Sequence, residues 1–149
     1  MAREFPNLPL VGVGVVVVRE ERVLLIRRAK PPRRGEWSLP GGLQKLGETV
    51  FEAASREVME ETGVTVQPLA VVDVVDLIEW DEQRVRYHYT LIDLLAAFID
   101  GEAVAGADAA EVLWAEQAEV KQKVLWPETV RIIDRACAIY ATRRSDPTG

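Results

Sequence analysis

Gly42-Leu43-Gln44-Lys45-Leu46-Gly47-Glu48-Thr49-Val50-Phe51-Glu52-Ala53-Ala54-Ser55-Arg56-Glu57-Val58-Met59-Glu60-Glu61-Thr62-Gly63-Val64 is the stretch on which the fold turns. From Glu48 to Thr62 its pattern is helical, and Gly63 supplies the stop. Glu57, Glu60 and Glu61 stand at i, i+3 and i+4, so they share one helix face, within a sector about 100° wide. Phe51, Ala54 and Val58 fill the adjoining sector, which predicts a helix docked by its apolar stripe with three carboxylates at the rim of a cleft. Like charges at this spacing repel one another. Hard carboxylate oxygens are the ligands Mg²⁺ or Mn²⁺ prefers, so a divalent cation would relieve that repulsion. Three Glu on a helix otherwise read as a solvated acidic face.

Outward from this helix the chain punctuates itself clearly. On the N-terminal side, Val13 and Val15 to Val18, the charged turn Arg19-Glu20-Glu21-Arg22 and Val23-Leu24-Leu25-Ile26 predict a hairpin. Arg3 ahead of the apolar run Leu8 to Val18 outlines a short signal peptide, but no small-residue cleavage site follows and β-branched residues favour a strand. Ala29 to Glu36, with Pro31-Pro32 inside it, is a surface loop. Trp37-Ser38-Leu39 is a short strand closed by a turn at Pro40-Gly41-Gly42. On the C-terminal side, Val64 to Val66, Leu69 to Leu77 and Arg84 to Asp100 read as strands, with a turn at Asp81-Glu82-Gln83. Gly101 to Ala110 is a loop before the short strand Val112-Leu113-Trp114. A second long helix begins at Pro127 and ends near Arg143, with Val130, Ile133, Ala136, Cys137 and Tyr140 as its core stripe. Residues 145–149 read as a flexible polar tail. Mixed strands with two helices predict an α/β or α+β layered domain, and 149 residues suit a single domain over 1–149.

Composition narrows the function. Apolar residues make up 48% of the chain and charged residues 28%, as in globular proteins rather than disordered ones. The net charge of -6 argues against a nucleic-acid polymer as partner, because such binding runs on clustered basic residues. The average conceals a division: residues 19–34 hold seven Arg or Lys against two Glu, and residues 48–63 hold five Glu against one Arg. A basic arm facing an acidic helix can grip a pyrophosphate, from one side by guanidinium groups and from the other through a bridging metal. Alternation from Ile26 puts only one of Arg27 and Arg28 on the core-facing side as a phosphate ligand. The lone Cys137 forms no internal disulfide, which suits a reducing cytoplasm.

The fixed positions from Gly42 through Glu48 to Arg56-Glu57-Val58-Met59-Glu60-Glu61-Thr62-Gly63-Val64 resemble the Nudix box, here spanning 42–64, at every one of them. A chance match is of order one in a billion per starting point, so coincidence is no alternative. Similarity extends from the Val-rich first strand to the last helix. The resemblance implies a Nudix-type α/β/α sandwich with a mixed central sheet, and hydrolysis of a nucleoside diphosphate linked to another group by metal-activated water. It implies Mg²⁺ or Mn²⁺ as cofactor, held by Glu57, Glu60 and Glu61 with Gly41, and catalytic roles for Glu57 and Glu60. Arg56 is expected to orient a metal-binding carboxylate. The family's Arg before the loop favours Arg28 over Arg27. A further acid usually enters from outside the box, for which Asp108 comes first and Glu111 second; His88, alone on a strand, reads as a packed residue rather than a catalyst.

The substrate is less legible. Where relatives specialised for ADP-ribose carry a proline, this chain has Ile78, Glu79 and Trp80; Tyr87 and Tyr89 come late for the diadenosine type. Leu125-Trp126-Pro127 stands where relatives that remove oxidised dGTP carry an Asn. The layout is most similar to small bacterial ADP-ribose pyrophosphatase-like and MutT-like proteins, which favours ADP-ribose-like or nucleotide-sugar substrates. Nucleoside triphosphates of the sanitising type are the alternative, and a non-catalytic nucleotide sensor or an RNA-end hydrolase are rivals. Trp126 is a candidate base-stacking platform, as is Trp80, against the commoner role of an indole as core or edge cover. A small-molecule nucleotide, no membrane and a homodimer paired through the sheet or first strand complete the expectation.

Overall fold

In the computed structural model, which describes residues 3–106 and 108–145, the β-branched runs form strands as their composition demands. Strand β1 (Leu10–Arg19) turns into β2 (Arg22–Arg28), with Glu20 at the left-handed φ of 56° that tightens the two-residue connection. After the proline loop come β3 (Trp37–Ser38) and β4 (Gly41–Leu43), then helix α1 (Val50–Thr62), the long hairpin of β5 (Thr65–Asp81) and β6 (Arg84–Asp100), β7 (Ala109–Glu116), and helices α2 (Gln117–Lys123) and α3 (Pro127–Ser145). The rest of the expected tail, 146–149, lies outside the described residues.

Seven strands make one sheet, in the order β3-β2-β1-β6-β5, with β4 paired to β1 and β7 to β2. β1 and β6 run parallel and the other pairs antiparallel, so the sheet is mixed. Its two faces carry separate cores. Val13, Val15 and Val17 of β1 pack with Ala53, Ala54 and Val58 of α1 on one side. Val16 and Val18 pack with Val120 of α2 and Ile132, Ile133 and Ala136 of α3 on the other. Each fully buried Val or Leu contributes roughly 1.5–3 kcal/mol, and strict alternation along β1 serves both faces at once. The expected α/β/α arrangement is what forms. No described helix is long and apolar enough to cross a membrane.

The structure corrects five details. Helix α1 begins at Val50, not Glu48, because the Thr49 hydroxyl accepts from the Glu52 backbone N–H while the Glu52 carboxylate accepts from that of Thr49, a closed capping box. Gly63 ends it in the left-handed conformation, as expected. Phe51 is exposed, since Ala54, Val58 and Thr62 carry the buried stripe. The turn expected at Pro40-Gly41-Gly42 continues into β4, where Gly41 lies over β1 so closely that a Cβ would strike the Val13 carbonyl oxygen. A third helix, α2, escaped prediction because its seven residues bury only Val120 and so show no periodic stripe. The segments at 64–66 and 69–77 join in β5; Pro68 between them is tolerated because β5 is an edge strand and bulges there.

Candidate active site

β1 forks at its N-terminal half. It pairs with β4 at Gly12 to Gly14 but with β2 only at Val18 and Arg19, and the cleft opens where these strands separate. About 910 Å³ in volume, it is lined by the α1 residues Arg56, Glu57, Glu60 and Glu61, by Arg28 at the end of β2, and by Gly41 and Gly42 of β4. Tyr89, Asp93, Asp108 and Trp126 line it as well. The acidic helix and three basic side chains of the arm, Arg28, Lys30 and Arg33, therefore meet across a single space.

Arg56 organises the carboxylates. Its Nε and Nη2 donate to the two oxygens of Glu48 at 2.6 and 2.8 Å, Nη1 donates to Glu57 at 2.7 Å and to Glu60 at 3.1 Å, and Nη2 also reaches the Leu43 carbonyl at 3.0 Å. These bonds, with the Lys45 backbone N–H, hold Glu48 down to about 2 and push the guanidinium up. Glu48 is thereby spent on Arg56 rather than offered to the cleft. Glu57 is largely buried, and Gly42 lies against it so tightly that a Cβ there would overlap the carboxylate. Glu60 stands at the mouth with its side chain 54% exposed.

Glu61 is the electrostatic centre. Burial pushes its carboxyl up to about 7, Glu57 and Asp108 add to the rise, and the Gly41 N–H, donating at 2.9 Å, and the Arg28 guanidinium oppose it. Arg28 is half-buried, its Nε donates to the Pro32 carbonyl at 2.6 Å, and burial lowers its own pKa. Arg27 is elsewhere: it points away from the cleft, donating to the Gly35 carbonyl at 3.1 Å and pairing with Glu111 at 3.6 Å. The expectation that includes Arg27 as a phosphate ligand is not met by its placement: alternation along β2 sets Arg28 on the face of Ile26, which also lines the cleft, and Arg27 on the other. Glu111, in that same ion pair, does not line the cleft. Asp108 lines the cleft, exposed and paired with Lys30 at 2.7 Å. His88 is half-buried opposite Ile78 and Trp80 is exposed on β5, neither lining the cleft.

Trp126 does line it, in the turn before α3, with the Arg33 guanidinium 4.7 Å from its ring centroid. Sequence reasoning passed over Arg33, Lys30 and Asp93. For Asp93 the sign was available: a lone acid inside the apolar run Leu91 to Ala97 of a buried strand.

The donors suit a hard divalent cation by chemistry: three carboxylates on one face, one of them poised near neutrality by burial, beside the Gly41 backbone. Among the described residues no three His, Cys, Asp or Glu side chains converge tightly enough to enclose one. Glu57 and Glu60 are instead drawn to the Arg56 guanidinium, at 2.7 and 3.1 Å.

The sequence profile of the NUDIX domain matches residues 8–136. The chain belongs to the Nudix family. An ADP-ribose pyrophosphatase of Methanocaldococcus jannaschii is 37% identical over 103 residues, 69% of this chain and 59% of that protein. This Nudix chain thus spans less than two thirds of that relative. A MutT-like protein of Streptomyces ambofaciens is 33% identical over 135 residues, 87% of this chain and 78% of that one. The crystal structure of a MutT NUDIX hydrolase from Burkholderia pseudomallei superposes with a TM-score of 0.73 at 28% identity, covering 87% of this chain and 98% of that one.

Proposed function

We propose that this Nudix domain hydrolyses the pyrophosphate linkage of a nucleoside diphosphate joined to another group, with Mg²⁺ or Mn²⁺ as cofactor. The observation that carries the reading is the meeting of Glu57, Glu60 and Glu61 with Arg28 across one cleft. Glu57, Glu60 and Glu61, with Gly41, would hold the cation, which when bound neutralises pyrophosphate oxygens and lowers the pKa of water. Arg28 faces them and neutralises charge on the phosphate from the opposite wall. Arg56 fixes Glu57 and Glu60 through its own bonds and so positions the acids without touching substrate. In the reaction a water oxygen bonds to one phosphorus and the bridging P–O bond breaks, its electron pair leaving with the other phosphate. Glu60, exposed at the mouth with Glu57 behind it, takes the water's proton. Asp108 is the acid outside the box best placed to assist, since it borders the same space.

ADP-ribose-like or nucleotide-sugar substrates come first, supported by the M. jannaschii relative. Nucleoside triphosphates form the second reading, favoured by the MutT-like relative. A cytoplasmic setting accords with the free, half-buried Cys137. The test is a panel of nucleotides with Mg²⁺ or Mn²⁺, products identified by mass, run beside Glu60→Gln and Glu61→Gln. Hydrolysis by the wild type and loss in both variants is expected. Wild-type rates in either variant would overturn the site.

A further inference from the structure

Asp93 is a carboxyl for which the hydrolytic machinery has no use. It sits in the middle of β6, directly across the ladder from Gly14 of β1, and a Cβ on Gly14 would overlap its Oδ1. The glycine makes room for the carboxyl. Asp93 is only 6% exposed, yet it borders the cleft, and among the described residues its side chain makes no hydrogen bond. Around it the cleft is apolar and aromatic, walled by Val75, Leu77, Leu91, Tyr89 and Trp126.

The charged groups facing it come from two neighbouring elements. Asp73 on β5 pairs with it across the ladder, and Glu128 and Arg131 approach from α3. Arg131 is already engaged, donating to Asp73 at 2.9 Å and to Glu128 at 2.9 Å. The Asp93 carboxyl therefore makes no hydrogen bond to the described residues while it borders the cleft, where a ligand can supply the donors. The acid is on the opposite sheet face from α1, since Leu94 beside it packs with α1 while Leu95 packs with α3. It belongs to a different part of the cleft from the three glutamates.

We propose that Asp93 is a specificity-determining residue, whose carboxylate accepts hydrogen bonds from two adjacent donors on the group that a diphosphate substrate carries into the apolar end of the cleft. This rests on the function proposed above. Two adjacent donors occur on the N–H and NH₂ edge of a guanine-type ring and on the vicinal hydroxyls of a ribose. Burial, first, and then Asp73 and Glu128 push the Asp93 carboxyl up to about 7 against Arg131. A ligand offering only donors must bind the ionised form, so its affinity weakens as pH falls below neutrality.

The test compares wild type with Asp93→Asn and Asp93→Ala, each checked for native circular dichroism. KM and kcat are measured with Mg²⁺ alongside calorimetric binding of methylene-bridged, non-hydrolysable analogues carrying guanine, hypoxanthine or adenine, with ribose or deoxyribose. Asp93→Asn is expected to raise KM and Kd about tenfold or more while kcat changes less, and to reduce the pH dependence of Kd. A penalty confined to guanine and absent with hypoxanthine identifies the ring edge. A penalty shared by all bases and absent with deoxyribose identifies the hydroxyls. Unchanged KM and Kd in both variants, or a wild type that binds none of the analogues, overturns the proposal. A wild type that binds through Asp93 but cleaves nothing refutes the hydrolytic reading alone.

Discussion

Arg56 and Glu48 form a two-pronged ion pair, Nε to Oε2 at 2.6 Å and Nη2 to Oε1 at 2.8 Å, from which the third nitrogen of the guanidinium reaches Glu57 and Glu60. A planar fork satisfies all of these acceptors at once, and an ammonium cannot. Glu48 thus anchors Arg56, and Arg56 sets the direction of two acids on α1. Arg56→Lys is expected to keep the fold and lose about tenfold or more in kcat, with Glu48→Gln losing less because one acceptor oxygen survives. Steady-state kinetics with a circular dichroism control reads this, and a lysine variant with full kcat would show that the fork has no bearing on the acids.

The Nudix box was legible because its residues answer to local rules, namely helix spacing, a glycine stop and carboxylates on one face. What the sequence left open depends on contacts between distant segments. Arg27 and Arg28 are neighbours of identical chemistry; alternation admits only one of them to the cleft, and the packing of β2 in the sheet decides that it is Arg28, on the side of Ile26. Gly41 and Gly42 read as a turn, yet their lack of side chains serves close packing on β1 and against Glu57. Asp93 was hidden for the same reason: its importance comes from Gly14, almost eighty positions away along the chain.

Gly42→Ala tests that packing directly. The added Cβ would overlap the Glu57 carboxylate, which is the far end of a flexible side chain and can move aside. Stability should therefore change little. Activity should fall about tenfold or more, because the displaced carboxylate leaves its place in the cleft. Thermal melts and kcat measured on the same preparation separate the two effects, and an alanine variant of full activity would mean that Glu57 needs no such placement.

Divalent cation binding to the carboxylates should appear as thermal stabilisation even without substrate, since a ligand held only by the folded state raises its stability by mass action. Mg²⁺ or Mn²⁺ is expected to raise the Tm of the wild type and chelation to lower it again. In Glu57→Gln and Glu61→Gln the shift should shrink or vanish at the same cation concentration. Equal shifts in wild type and both variants would place the cation elsewhere.

Trp126 lines the cleft with the Arg33 guanidinium 4.7 Å from its ring centroid, and it packs against the cluster of Leu10, Leu77, Tyr87 and Tyr89. Trp126→Ala is expected to raise KM for the best nucleotide about fivefold or more, the scale of one base stacked on an aromatic ring, while the metal concentration for half-maximal rate stays put. Trp126→Phe should recover most of the loss. An unchanged KM in the alanine variant removes the indole from substrate binding.

Asp93 also governs how the metal-free protein responds to pH. Its ordinary value is 3.8 and its folded value about 7, raised foremost by burial. Between about pH 4 and pH 7 the folded protein retains a proton that the unfolded chain has released. Stability from this group is complete below that window and is lost as pH rises through it, on the order of a few kcal/mol. Glu61, raised from 4.5 to about 7, adds a loss of the same sign. Asp93→Asn has no proton to release, so its stability should decline less from pH 4.5 to 8 in chelator and should exceed that of the wild type at the alkaline end. Urea melts across this range measure it; parallel curves for the two proteins would show that Asp93 ionises in the fold as readily as in water.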